Sequence, residues 1–181
     1  NKILNIIEDN YSLSDIVVLT RSNKEITKIA TYLTEKGVPI ISSESLLLRN
    51  SPTIQFILNN LLIMLDESDY LSRAKLLEYL INNDIIKHTS INNHQFISDK
   101  SKITNIKFES FLNSWGIKYN FEYFKSLNIY ELIENLIRVF KLNQYANLYI
   151  TFFLDFIFEF SIKYNNSINE FINYWNQNKD I

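Results

Sequence analysis

The sequence predicts a predominantly α-helical protein that opens on a short α/β piece. Three observations carry that expectation. A strand-helix-strand pattern occupies the first forty residues, a long series of apolar residues at helical spacing follows, and glycine is almost absent, with only 2 in 181 residues. Glycine averages about 7% of globular proteins. Hairpin turns and phosphate-cradling loops need it for positive φ and close backbone approach, so this chain carries no Walker-type or dinucleotide loop.

Asp15-Ile-Val-Val-Leu-Thr20 is a β-branched apolar run of the kind found in buried parallel strands. Ser22-Asn-Lys-Glu25 then forms a capping box, and Ile26, Ile29, Ala30 and Leu33 follow at helical spacing. Gly37 closes the helix, and Val38-Pro-Ile-Ile41 resumes an extended run, completing a βαβ unit. Beyond residue 45 the strand signals fade. Ser51-Pro52 starts a helix with Ile54, Leu58, Leu61, Leu62 and Leu65 on its apolar face. A second helix after Ser68-Asp69 is expected to bury Leu71, Ala74, Leu77 and Leu80. Residues 83 to 106, rich in Asn, Ser and Lys and holding both histidines, read as a connector with room for short helical turns and mark the candidate domain boundary.

The remainder is helical text. Phe108, Phe111, Leu112 and Trp115 precede Gly116. Ile129, Leu132, Ile133, Leu136, Ile137 and Phe140 fit the i, i+3, i+4, i+7 template without a miss. Tyr145, Leu148, Tyr149, Phe152, Phe153, Phe156, Ile157 and Phe160 repeat it. Ser167-Ile-Asn-Glu170 caps a last helix bearing Ile168, Phe171, Ile172 and Trp175.

Composition restricts the chemistry. There is no cysteine, and two histidines leave little for a metal centre. The balance of 18 basic and 20 acidic residues argues against binding nucleic acid by bulk charge. Residues 150 to 160 are too short to span a membrane and carry Asp155 and Glu159. The expectation is a soluble, cytoplasmic chain. Its first residues, Asn-Lys-Ile-Leu, fall on helical text without a start methionine and read as an excised fragment.

Among candidate sites, Arg21 stands out. It lies at the carboxyl end of the first expected strand and at a helix N-terminus, where the helix dipole disfavours a cation and where open α/β sheets bind ligands. A phosphate partner would resolve that conflict. The alternative is a solvated loop arginine, or one paired with Glu25 or Glu44. His88 and His94, six apart in the connector, read as surface histidines. Asp66, Glu67 and Asp69 read as a solvated, helix-capping turn before a metal or acid/base site. Asp155 and Glu159 mark the exposed stripe of an apolar helix. The aromatic stripe from Tyr145 to Phe160 reads as core before base-stacking surface.

From Asp15 to Asn23 (Asp-Ile-Val-Val-Leu-Thr-Arg-Ser-Asn) the chain resembles motif IV of the UvrD/Rep/RecB-type DNA helicases. The likeness continues through Ile29-Ala-Thr-Tyr-Leu33, Gly37-Val-Pro-Ile40 and Ser43-Glu-Ser-Leu-Leu-Leu48, and on into the helix from Pro52 to Leu65, about fifty residues in all. Phe152-Phe-Leu-Asp155, Phe158-Glu-Phe160 and Phe171-Ile-Asn-Tyr-Trp175 resemble the end of the helical insertion in RecB/AddA-like members. The resemblance implies that residues 1–82 begin the second RecA-like motor domain (2A) and that residues 83–181 form its helical insertion (2B). It implies that Arg21 contacts the γ-phosphate of ATP held, with Mg2+, mainly by the other motor domain of the same chain. The implied parent acts on single- and double-stranded DNA in repair and recombination, with a nuclease partner subunit in some members. The helix after Ser51 reads Pro52-Thr-Ile-Gln55 where the best-known members carry charged residues, so no role transfers from those charges. Walker A, Walker B, motif V and motif VI are absent, so this fragment is not itself expected to hydrolyse ATP. Local DNA contacts would fall to positions such as Arg49, Lys87 or Lys100. Two other classes stay open: a freestanding helical adaptor, and half of another doubly wound nucleotide-binding enzyme.

Overall fold

The computed structural model describes residues 3, 6, 7, 11–38, 48–87, 92–142, 148–164 and 167–177. It divides into two compact units, residues 1–47 (with residue 181) and residues 48–180.

In the first unit a single 3-10 turn, Leu13–Asp15, is capped by Ser12, whose amide and hydroxyl donate to Asp15 Oδ2 at 3.0 and 2.6 Å. Those bonds, the hydroxyl's first, hold the Asp15 carboxyl below its usual range. Helix α1, Asn23–Glu35, follows. It ends in a Schellman motif with Gly37 at φ +71° and the Val38 amide reaching the Leu33 carbonyl at 2.9 Å. The expected opening strand is not formed among the described residues. Asp15 belongs to the turn, and residues 16–20 pair with no strand among the described residues. A strand is defined by its neighbours, because an isolated extended segment leaves its backbone amides and carbonyls without ladder partners. Pro39–Ile41 of the second expected strand, and Glu44, lie outside the described residues.

The second unit is all helix among the described residues. Helices α2 (Pro52–Leu65), α3 (Tyr70–Asn82), α4 (Asn93–Ser101), α5 (Asn105–Ser114), α6 (Phe121–Ser126), α7 (Ile129–Val139), α8 (Leu148–Lys163) and α9 (Ile168–Gln177) follow in order. The α2 helix is the axis of this unit, packing against α3, α7, α8 and α9. Its sequence is apolar nearly all round, which is the pattern of a buried helix. Ile54, Phe56, Ile57, Leu61 and Ile63 are all sealed from solvent, so the single face expected from the sequence is too narrow, and Leu65 from that face is exposed. The α3 face is also rotated from expectation: Leu71 is exposed, while Arg73, Leu76, Leu77 and Leu80 are buried. The polar connector contains a nine-residue helix, α4, with Asn92 accepting at its N-cap from the Gln95 amide. Elsewhere the periodicity holds: the whole expected face of α7, Ile129 through Phe140, is buried. So are Phe153, Ile157 and Phe160 of α8 and Phe171, Ile172 and Trp175 of α9; Tyr145 lies outside the described residues.

The boundary between compact units at 47/48 places α2 and α3 with the later helices. The division expected at 82/83 is one of family architecture, which compactness does not decide.

Candidate functional site

Arg21 sits on the turn between the extended run and α1. The turn is built by local hydrogen bonds. Thr20 Oγ1 donates to the Ser22 carbonyl at 3.2 Å, the Glu25 amide donates to Ser22 Oγ at 3.4 Å, and Glu25 Oε2 accepts from the Arg21 amide at 3.2 Å. The capping box is therefore present with its reciprocal bond displaced by one residue, onto Arg21. This matters for the guanidinium: the carboxylate one turn away is engaged with backbone at the helix N-terminus, where its charge is favourable. Among the described residues the Arg21 guanidinium has no hydrogen bond or ion pair, so the Glu25 pairing is not formed. Its side chain, with Leu19, Thr20, Glu25, Lys28 and Ile29, lines an open depression of about 610 Å³. Lys28 adds a second cation to that wall. Arg21, Glu25 and Lys28 are exposed, so the electrostatics are those of a solvated site.

The remaining candidates resolve into structural roles. Asp66 accepts from the Ser68 hydroxyl at 2.6 Å and the Ser68 amide at 2.8 Å, and these bonds, the hydroxyl's first, hold its carboxyl below the ordinary range. Asp69 caps α3 by accepting from the Ser72 amide at 2.9 Å, and Glu67 Oε1 accepts from the Asn105 amide at 2.9 Å. The three carboxylates are spent on three different backbone tasks, and among the described residues no group of His, Asp and Glu is arranged to hold a metal. His94 is exposed at the start of α4, and His88 lies outside the described residues. Asp155 and Glu159 are exposed, as expected of a solvated stripe.

Two of the three basic residues considered for DNA contact lie on aromatic rings of the bundle. The Arg49 guanidinium is 4.7 Å from the Trp175 ring centroid and donates to the Trp175 carbonyl in the last turns of α9. Lys100 Nζ is 5.3 Å from the Phe111 ring centroid. Lys87 is exposed.

One residue of consequence escaped the sequence reading. Arg73 of α3 is fully buried, and its guanidinium donates to the carbonyls of Glu67 and Ser101 (3.2 Å each) and Ile103, and to Asn105 Oδ1 at 2.7 Å, while lying 5.0 Å from the Phe108 ring centroid. Its Nε has no partner among the described residues. Burial pulls its pKa below the usual value, with the Glu67 charge opposing. This arginine caps the end of α4 and fixes α3 to the α4–α5 turn. No sequence signal separates it from the surface arginines, because a helical arginine is ordinarily placed outward.

A second buried polar pair lies against α2. The Tyr119 hydroxyl donates to Asn60 Oδ1 at 3.3 Å, and Asn60 Nδ2 donates to the Phe56 carbonyl at 2.9 Å. Burial pushes the Tyr119 phenol above its ordinary range. Neither group reaches solvent, so both serve the fold rather than a substrate.

No helix among the described residues is long and apolar enough to cross a membrane. No family model, curated protein or solved structure matches this chain.

Proposed function

We propose that these residues are part of an ATP-dependent DNA helicase of the UvrD/Rep/RecB type, in the RecB/AddA branch, acting in DNA repair and recombination. The single observation that carries the reading is Arg21: an arginine in motif IV-like text whose guanidinium, among the described residues, is left without a protein partner on the wall of an open depression. In the parent, Arg21 would meet the γ-phosphate of ATP bound mainly by the other motor domain and stabilise charge as the phosphoryl group departs. A guanidinium with no partner among the described residues suits an anion of that kind. In the parent, Mg2+ would be held with the ATP mainly by the other motor domain.

The exposure of the extended run supports the same reading. Val17, Val18 and Leu19 are 77%, 47% and 90% exposed. Apolar residues on both faces of an extended segment suit a strand inside a parallel sheet covered by helices on both sides. In the parent this run would be such a strand, paired with other strands of the motor domain.

The test is Arg21→Ala in the complete gene product. DNA-stimulated ATP turnover is expected to fall by roughly 10³-fold or more, with little change in stability. Near-normal turnover would remove the proposed role. The sequence flanking the segment is a second check: a Gly-Lys-Thr/Ser loop upstream supports the helicase.

One observation favours a second reading, a helical protein-interaction adaptor. Residues 48–180 form a compact unit with a core of their own around α2. Autonomous folding of that unit, together with a gene product lacking a phosphate loop, would give the adaptor the lead.

A further inference from the structure

The α8 helix buries Ile150, Phe153, Ile157 and Phe160 on one side. Its opposite side is not the ordinary polar face of an amphipathic helix. Phe158 and Ile162, four residues apart and so stacked on one face, are 55% and 68% exposed. Tyr130 of α7 meets the Phe158 ring edge-on, with centroids 6.1 Å apart, which extends the apolar surface from one helix to the next. Single exposed apolar side chains are normal, but a contiguous set across two helices is the pattern of an interaction surface.

The charges around this patch are in acidic excess, with three carboxylates against Lys163 and Arg138. Asp155 lies one turn before Phe158 on α8, Glu159 follows it directly, and Glu134 lies one turn after Tyr130 on α7. Of these, Glu159 is paired with Lys163 at 3.7 Å, whereas Asp155 and Glu134 have no ion-pair partner among the described residues. Arg138 lies a further turn along α7. Carboxylates flanking an apolar ridge repel a phosphodiester backbone or an anionic lipid surface and attract a cationic peptide.

We propose that the α7–α8 face bearing Tyr130, Phe158 and Ile162 docks a basic amphipathic helix of a protein partner. Apolar residues at i and i+4 of that helix would cover Phe158 and Ile162, and its flanking Lys or Arg side chains would meet Asp155 and Glu134. Both helices satisfy their own backbone groups, so recognition runs through side chains, in the helix-on-face mode. This proposal does not rest on the helicase reading.

The 181-residue chain is titrated into a fluorescein-labelled synthetic Leu/Lys peptide of about 18 residues with leucines at helical spacing, and into a scrambled peptide of the same composition. The helical peptide is expected to bind, the scrambled one at least about tenfold more weakly. Phe158→Ser with Ile162→Ser is expected to cost about tenfold or more in affinity, and Asp155→Lys to cost several-fold and weaken the salt dependence. Both variants should keep the wild-type circular dichroism, since the changed side chains are exposed. Ile106→Ser, at an exposed apolar residue of α5, should leave binding unchanged. Equal binding of both peptides, or unchanged binding by the Phe158/Ile162 double variant, would overturn the proposal. So would oligothymidylate binding, or self-association of the chain, that this double variant abolishes.

Discussion

Residues 16–19 and the α2 helix are comparable in composition and opposite in fate. Val17, Val18 and Leu19 stand in solvent, whereas Ile54, Phe56, Ile57 and Leu61 are sealed. The difference lies in where each segment finds its hydrogen bonds. A helix closes its ladder within itself and needs only a covering for its side chains, which α3, α7, α8 and α9 supply within residues 48–177. An extended run needs neighbouring strands before its side chains have a surface to belong to. Apolar content alone therefore does not make a core.

That contrast can be broken most directly by truncation at equivalent leucines. Leu61→Ala removes a fully buried side chain at the centre of α2 and is expected to cost about 3–4 kcal/mol, read as a lowered urea midpoint of the helical transition. Leu19→Ala, at 90% exposure, is expected to stay within about 0.5 kcal/mol. A comparable loss at Leu19 would mean that the extended run packs in solution, and the contrast would fail.

The two arginines offer the same comparison in polar form. Arg73→Met keeps most of the buried volume but strands the carbonyls of Glu67, Ser101 and Ile103, so it is expected to cost about 2–3 kcal/mol. Arg21→Met abandons no acceptor among the described residues and is expected to leave stability within about 0.5 kcal/mol. Thermal melts of the two variants side by side would check this. Equal losses would show that Arg21 is tied into the fold and is not free to serve a ligand.

Tyr119 sharpens the comparison through pH. Its phenol is held neutral by burial, above the unfolded value of about 10. Below that pH it contributes fully. As pH rises past about 10 the unfolded chain releases the proton first, and stability falls by up to about 1.4 kcal/mol per pH unit from this group. Tyr119→Phe loses the bond to Asn60, costing about 1 kcal/mol at pH 8, but lacks the alkaline penalty. The gap between the two proteins should therefore narrow or reverse by about pH 11 in urea titrations. A constant gap would show that the buried phenol ionises as readily as a solvated one.

What could be read ahead of the structure follows the same division. The faces of α7, α8 and α9 were legible because their residues recur at one period and each helix is closed locally. Asp69 and Ser167 were legible as caps because a side chain bonding an amide three residues on is a local event. The opening strand was not, because strand pairing is a property of two segments. The rotation of α3 was not, because placing Arg73 inside depends on carbonyls about thirty residues away. Arg21 could be singled out from its position in the chain, while its lack of a protein partner depends on how Glu25 spends its carboxylate.

The smallest expected effect concerns how helices end in a chain with 2 glycines. Four helices, α1, α3, α5 and α7, close with a left-handed residue and a 6→1 bond, from Val38 to Leu33, Ile85 to Leu80, Ile117 to Leu112 and Leu142 to Ile137. Both glycines serve here, Gly37 at φ +71° and Gly116 at φ +77°, whereas Asp84 at φ 55° and Lys141 at φ 53° fill the same place in the other two. A side chain in that conformation costs roughly 1–2 kcal/mol, less for Asp, whose short polar group tolerates it. Glycine removes the cost but adds freedom to the unfolded chain, returning part of the gain. Lys141→Gly is therefore expected to stabilise the helical unit by about 0.5–1 kcal/mol and Asp84→Gly by less, each seen as a raised thermal midpoint. Gly116→Ala should destabilise by about 1 kcal/mol through φ alone, since no atom lies within 4 Å of where its Cβ would stand. If Lys141→Gly lowered the midpoint instead, the lysine side chain would have to contribute more than its backbone costs, and local chain geometry would no longer explain how these helices stop.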